Sequence, residues 1–341
     1  MKKIFGVAVV LGVAMSATAQ QAPKVTHAQM TTRAAGSLRA EIDAAKKESA
    51  PVWVGYAVPT VDKFSNGWGD GMVDYLEGNR HSEGGEEKRQ TFDHANILLR
   101  VADGAVAKVR LDNPDRELDA GGVKFVWLTG VREEESIAVL TELARSDAKR
   151  LRESAVFAVS VHRSDAATQA LIALAAAKEE IALREKAAFW LANERGAEGF
   201  AALKKFARED GDAKFREKLT FDLSLSKQPG AADELLWMAK NDAEPRVRKQ
   251  AQFWVAMMAQ HKMNKDVPAA LREAAANDPN AQVRQSAVFA ISRLPGGEGA
   301  AQLIELAKTS KDPQVKKQAV FWLGQSKDPK ALEYLEQVLK Q

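Results

Sequence analysis

The chain offers five histidines, His27, His81, His94, His162 and His261, and no cysteine. None of the histidines lies in an H-E-x-x-H helix motif that would hold zinc. None accompanies the G-x-S-x-G turn that exposes a nucleophilic serine. Without thiols the chain has no thiolate ligand, no cysteine nucleophile and no disulfide. Acid and base groups are densest around the segment KFSNGWGDGMVDYLEGNRHSEGGEEKRQ, where Asp62, Asp70, Asp74, His81 and His94 could build an enzyme site. Gly67-Trp68-Gly69-Asp70-Gly71 superficially looks like a phosphate-cradling loop. It lacks the Walker lysine and the strand-to-helix setting of a dinucleotide site. No cofactor and no metal is expected from these residues.

Residues 20–130 must position that segment. A helix is expected from about Gly36 to Ser49, PVWVGYAVP reads as a strand, and NILLRVADGAVAKVRLD alternates around Asp103-Gly104, the favoured dipeptide of a tight hairpin. GGVKFVWLTG supplies another strand. The expectation is a small α+β domain with an antiparallel sheet, one helix and a long Gly-rich loop. It would cap the first helical unit beyond residue 130.

Residues 131–341 read differently, because one pattern returns six times: LRESAVF at Leu151, LREKAAF at Leu183, FREKLTF at Phe215, VRKQAQF at Val247, VRQSAVF at Val283 and VKKQAVF at Val315. The steps are 32, 32, 32, 36 and 32 residues. Phenylalanine stands at the sixth place after each start, as Phe157, Phe189, Phe221, Phe253, Phe289 and Phe321. An apolar marker precedes each start by twelve residues: Val139, Leu171, Leu203, Leu235, Leu271 and Leu303, with Leu335 continuing the series. The spacing around both sets is helical. Each unit is therefore a helix A followed by a helix B, with polar joints such as Asn277-Asp278-Pro279 and Lys311-Asp312-Pro313 between them. Aspartate before proline suits the start of helix B, where a carboxylate accepts from free amides and proline is tolerated. Helix pairs at this period make an α-α superhelix, and the fold class is mainly α.

The run Asp312-Pro313-Gln314-Val315-Lys316-Lys317-Gln318-Ala319 resembles a HEAT repeat. The short period resembles the compact bacterial HEAT-like repeats also found in phycobilin lyases. The resemblance covers about residues 132–341 and implies a solenoid scaffold. HEAT-like proteins that bind iron resemble one another in carrying His-Glu pairs on their repeats. This sequence has no His-Glu dipeptide.

Within helix B, the start and the positions four, seven and eight residues later share one stripe, which faces helix A. The recurrent phenylalanine lies off that stripe, where it would pack against the neighbouring repeat. The basic residue after each start, Arg152, Arg184, Arg216, Arg248, Arg284 and Lys316, would reach an acidic residue near a neighbouring turn. The second, ninth and thirteenth positions point to the open surface, which is expected to be concave. At the second they read Glu153, Glu185, Glu217, Lys249, Gln285 and Lys317, so the charge changes sign along the array. At the ninth all are small. The four extra residues of the long step fall between Val255 and Leu271 and bring Met257, Met258, His261 and Met263 beside Trp254. These positions are the candidates for binding a protein or peptide partner.

At the N-terminus two lysines precede an apolar run from Ile4 to Met15 and a small-x-small site, Ala17-Thr18-Ala19. This reads as a signal peptide of residues 1–19, cleaved after Ala19. The run is shorter than the roughly 20 apolar residues a bilayer requires. A periodic solenoid with such a segment is expected to be periplasmic or secreted, with no stable membrane insertion after cleavage. The 49 basic and 46 acidic side chains give +3, and removing Lys2 and Lys3 leaves +1, so no basic field suggests nucleic acid. The function expected is a non-catalytic interaction scaffold. An enzyme in the Gly-rich region is the alternative.

Overall fold

The computed structural model describes residues 21–65, 73–78, 91–261 and 264–340. The expected signal peptide, Gly67–Gly71, Asp70, His81 and Met263 lie outside the described residues. The chain divides into two compact units, Met1–Ala167 and Thr168–Gln341.

Among its described residues the first unit holds eight strands and its first helices: β1 (Val25–Thr26), β2 (Met30–Ala34), α1 (Leu38–Ala45), β3 (Val52–Phe64), β4 (Val73–Tyr75), β5 (Phe92–Ala102), β6 (Ala105–Asp112), β7 (Glu117–Asp119), β8 (Lys124–Thr129), α2 (Glu133–Leu143) and α3 (Lys149–Val161). The strands form a five-stranded sheet ordered β2-β8-β3-β5-β6 and a three-stranded sheet ordered β1-β7-β4. Only β3-β5-β6 is antiparallel; β2-β8, β8-β3 and both pairs of the smaller sheet are parallel. The expected hairpin is present. Asp103 and Gly104 both adopt left-handed backbone, with φ of 52° and 74°, as the tight turn joining β5 to β6 requires. The parallel pairs come from long-range partners, which alternation within one strand does not reveal.

β3 is central and buried on both faces. Trp53 and Ala57 join Leu98, Phe125 and Trp127 with Leu76 and Leu118 in one apolar cluster. Gly55 makes that cluster possible, since a Cβ there would meet Leu98 and Trp127 at 2.9 Å. Tyr56 points to the other face, where its hydroxyl lies 2.8 Å from Ser136 Oγ on α2. Ser136 in turn lies 2.9 Å from His162 Nε2, and His162 Nδ1 lies 2.7 Å from the Ala158 carbonyl. A carbonyl only accepts, so Nδ1 donates, Nε2 accepts from Ser136, and Tyr56 donates to Ser136. His162 is fully buried and structural. Arg163 reinforces the join: its amide donates to the Pro59 carbonyl at 3.0 Å and its guanidinium to the Thr60 carbonyl at 3.1 Å. The expected boundary at 130/131 marks the change from strands to helices, while packing groups the first helix pair with the sheet.

The remaining helices alternate as A and B: α4 (Asp165–Leu174), α5 (Ile181–Glu194), α6 (Gly196–Glu209), α7 (Ala213–Leu225), α8 (Ala231–Asn241), α9 (Pro245–Ala259), α10 (Val267–Asn277), α11 (Ala281–Ser292), α12 (Glu298–Thr309), α13 (Pro313–Gln325) and α14 (Pro329–Leu339). Each recurrent start and the small residue four places on are buried, as in Val247/Ala251, Val283/Ala287 and Val315/Ala319. Even Leu219 at the small position is fully buried. Asp312 caps α13 as expected, accepting from Gln314 N at 2.8 Å with Pro313 in the first turn. At the other joint the cap is Asn280, which accepts from Gln282 N at 2.9 Å, and Asp278 lies two residues earlier.

Candidate functional site

Asp278 is freed from capping for another task. Arg248 Nε and Nη2 donate to its two carboxylate oxygens at 2.8 and 2.9 Å. Arg216 engages Asp242 at 2.8 and 3.0 Å in the same fork, Arg284 reaches Asp312 at 2.9 Å, and Arg184 holds Asp210. Each guanidinium thus bridges its own helix B to the turn of the following repeat. Arg216, Arg248 and Arg284 also donate to backbone carbonyls of their own turn, at Asp210, Asp242 and Asp278. Each aspartate further accepts from an amide two residues on, as Asp242 does from Glu244 N at 2.9 Å. These basic residues are consumed in cohesion and leave no ladder free for an anion. Arg248 and Asp278 are both nearly buried, so removing either would leave an unpaired buried charge at about 3 to 5 kcal/mol.

The phenylalanine row also packs laterally. Phe221 meets Trp254 at 4.9 Å, Phe253 stacks parallel to Phe289 at 6.5 Å, and Phe289 meets Trp322 at 5.2 Å between centroids. Phe189, Phe221, Phe253 and Phe289 are nevertheless only half-buried. Lys218 Nζ stands 4.4 Å over the Phe221 ring and Arg293 5.1 Å over Phe289. The row therefore binds helix to helix and leaves part of each residue exposed. Trp190, Trp254 and Trp322 share the seventh place in alternate repeats. That recurrence is present in the sequence and marks the indoles as part of the row.

The charged candidates line the same helices. Glu153, Glu185, Glu217, Lys249 and Gln285 are half-buried and Lys317 is exposed. Arg246 lies 3.7 Å from Glu217. The ninth positions depart from the angular expectation: Ser160, Ala192 and Ala256 are buried, and Ser160, Ser224 and Ser292 turn their hydroxyls to the carbonyls of Phe157, Phe221 and Phe289 at 2.7 to 2.8 Å. Ser224 and Ser292 are half-buried and Gly324 is exposed, so the row is not an evenly open surface. Beneath the row, Asp222 is fully buried with Lys218 Nζ at 2.9 Å. Burial pushes its carboxyl up to about 6 despite that lysine, and the charge of Glu185 adds to the rise.

At the insertion, α9 extends to Ala259 and absorbs part of the extra length. Met257 and Met258 are half-buried, His261 is exposed, and Trp254 is half-buried against Phe221 and Phe253. The loop is tied on two sides. Gln260 Nε2 donates to the Arg293 carbonyl at 3.3 Å and Asn264 Nδ2 to Asp233 at 2.8 Å.

In the first unit Asp62 and His94 stand on the paired strands β3 and β5, and Asp74 on β4 of the smaller sheet. His94 pairs with its neighbour Asp93 at 2.8 Å and packs edge-on against Phe92. Asp62 is exposed beside the bulged end of β3, and Asp74 on β4 lies 3.7 Å from Arg116. A pair that no sequence motif singles out is assembled instead. His27 Nδ1 lies 2.9 Å from Asp119 Oδ2, and the amide of Gly121 donates to Asp119 Oδ1 at 2.8 Å. His27 has left-handed backbone, φ 48°. The pair borders an open cleft of about 550 Å³ with Tyr75 and Glu77. Glu77 is committed to Arg100 at 2.7 Å and Trp53 at 2.9 Å. Among the described residues the lining is completed by Gly78, Gly121 and Gly122. Ninety-two residues separate His27 from Asp119, so no local motif announces them. Among the described residues no group of three histidine or carboxylate side chains could hold a metal ion, and no helix is long and apolar enough to cross a membrane.

Comparison with known proteins agrees with the helical half. The model of HEAT repeats matches residues 200–292 and 268–341. No curated protein sequence matches the chain. Similar solved structures include human deoxyhypusine hydroxylase in complex with glycerol, at 16% identity over 61% of this chain and 80% of that one, with a TM-score of 0.33. The complex of CpcE and CpcF of phycocyanin lyase from Nostoc sp. PCC7120 is 18% identical over 46% of this chain and 97% of that chain, with a TM-score of 0.36. Kap121p is 14% identical over 61% of this chain and 27% of its own, with a TM-score of 0.40. Likeness at these levels carries no argument about activity. Residues 200–341 thus carry HEAT repeats.

Proposed function

We propose that this chain is an exported, non-catalytic scaffold that binds a protein or peptide partner along its B helices. The observation that carries the reading is the row of half-exposed aromatic rings, linked from helix to helix, beside a line of side chains that passes from Glu185 and Glu217 to Lys249 and Lys317. Rigid rings supply contact area at low entropic cost, and the change of sign along the line would fix the partner's direction. A partner of matching chemistry places apolar side chains on the rings, basic groups at the glutamate end and acidic groups at the lysine end. Export rests on the N-terminal segment, and the mature protein would act in the periplasm or outside the cell. The alternative, an enzyme in the first unit, draws its support from the His27–Asp119 pair at the cleft.

The deciding experiment is capture from an exported-protein fraction with wild type, with Glu185→Lys/Glu217→Lys/Lys249→Glu/Lys317→Glu, and with His27→Ala. The scaffold reading expects a specific partner retained by wild type and His27→Ala, and binding at least about tenfold weaker in the charge-reversed chain at an unchanged circular dichroism spectrum. Equal retention by the charge-reversed chain removes the B-helix line from the reading.

A further inference from the structure

The last three B helices differ in composition from the two before them. α9, α11 and α13 contain no aspartate or glutamate, whereas α5 carries Glu185 and Glu194 and α7 carries Glu217 and Asp222. Arg246, Lys249 and Lys317 stand on these helices and Arg293 directly follows α11; Lys249 is half-buried and the other three are exposed. The aspartates of the adjoining turns, Asp278 and Asp312, are already held by Arg248 and Arg284. The aromatic row is continuous over the same stretch: Trp254 meets Phe253 at 4.9 Å, Phe253 runs parallel to Phe289 at 6.5 Å, and Phe289 meets Trp322 at 5.2 Å. On α7 that order breaks, because Asp222 takes the place of the indole and Lys218 Nζ stands 4.4 Å over the Phe221 ring. Cations and connected rings therefore coincide on α9, α11 and α13, and no carboxylate of those helices opposes them.

We propose that these three helices anchor an acidic, aromatic segment of the partner in extended conformation. The proposal rests on the scaffold reading and confines the anchor to one stretch of the B-helix face. The step from Phe253 to Phe289 is 6.5 Å, which an extended chain covers in two residues, at roughly 6.6 Å. Lys249 and Lys317 stand four residues before Phe253 and Phe321, which is about 6 Å along a helix. Side chains of an extended chain alternate between two sides. A segment lying across the helices thus turns one set toward the rings and the other toward the lysines, where carboxylates find cations without a like charge beside them. Single-stranded nucleic acid also combines anionic groups with flat rings. A uniformly anionic polymer would run from these helices onto Glu217 and Glu185, whereas a short acidic segment ends before them.

Fluorescence-anisotropy titration of the full chain with short labelled probes tests this at physiological ionic strength. The probes are a peptide alternating glutamate and phenylalanine, the same peptide with alanine for phenylalanine or with lysine for glutamate, and a polythymidine oligonucleotide. The glutamate–phenylalanine peptide is expected to bind at least about tenfold tighter than the other three. Lys249→Ala/Lys317→Ala is expected to weaken it at least about fivefold with an unchanged circular dichroism spectrum, and Glu185→Lys/Glu217→Lys to leave it within about twofold. Absence of binding by the glutamate–phenylalanine peptide overturns the proposal, and so does equal binding of the alanine or lysine peptide. An oligonucleotide bound as tightly overturns the acidic segment as the occupant. Indifference to Lys249→Ala/Lys317→Ala overturns the placement on these helices. Capture of a native partner reads both ends of the charged line, whereas this titration uses a defined probe and only the lysine end, so the two proposals fail separately.

Discussion

Single side chains show how the array converts sequence into energy. Asp222 occupies the place that holds tryptophan in α5, α9 and α13. Its carboxyl is pushed from 3.8 up to about 6, chiefly by burial. Between those values the folded chain keeps a proton that the unfolded chain has released, so the stability from this group is full below pH 4 and is lost as pH rises to about 6. Asp222→Asn abolishes that loss. Relative to wild type, the variant is expected to gain about 2 to 3 kcal/mol in unfolding free energy between pH 4 and pH 7. Urea titrations at the two pH values measure it, and a gain of zero would mean that the buried carboxyl ionises normally. Phe289 makes the complementary case. A fully buried ring would cost ~3 to 5 kcal/mol on truncation to alanine, but this one is half-buried between Phe253 and Trp322. Phe289→Ala is therefore expected to destabilise by about 2 kcal/mol. An unchanged denaturation midpoint would show that the ring has no lateral role.

Helices in this chain are interchangeable parts with specified joints. The period, the capping at Asp312 and the buried start of each helix B follow from residue type and spacing, and the Arg–Asp ladder is expected from its regularity. The long step is the exception. Its extra residues extend α9 and then form a loop tied to Arg293 and Asp233. Deleting Gln260–Met263 restores the period and loses the exposed Gln260 bond, while Asn264 and its tie to α8 remain. Because solenoid stability is close to a sum of nearest-neighbour terms, the shortened chain is expected to keep its helix content and to melt within about 5 °C of wild type. Partner affinity is expected to fall if the methionines beside Trp254 border the binding surface. Thermal melts and binding titrations on the same preparation separate the two effects, and unchanged affinity would reduce the segment to a connector.

For the molecule as a whole, the helical array was legible because it repeats. Each unit states the same pattern of buried start, small residue and aromatic, and six statements in register leave one architecture. The first unit states each of its features once. Its hairpin was visible because Asp103-Gly104 is a local signal, and its parallel pairings were not, because β2, β3 and β8 meet through contacts distant in sequence. The same distance hid the His27–Asp119 pair and the Tyr56–Ser136–His162 chain of hydrogen bonds. It also hid the burial of Ser160, Ala192 and Ala256, which depends on how closely neighbouring helices approach and not on the angle of one helix alone. Sequence by itself determined the repeat, its period, its core stripe and the expectation that its arginines meet acidic residues near a neighbouring turn, since these rest on local periodicity and on charge that must be matched along the array. Tertiary structure alone decided which rings stay half-exposed and that Asp222 is buried with its carboxyl pushed up to about 6, since each of these depends on what the neighbouring helix does or does not cover.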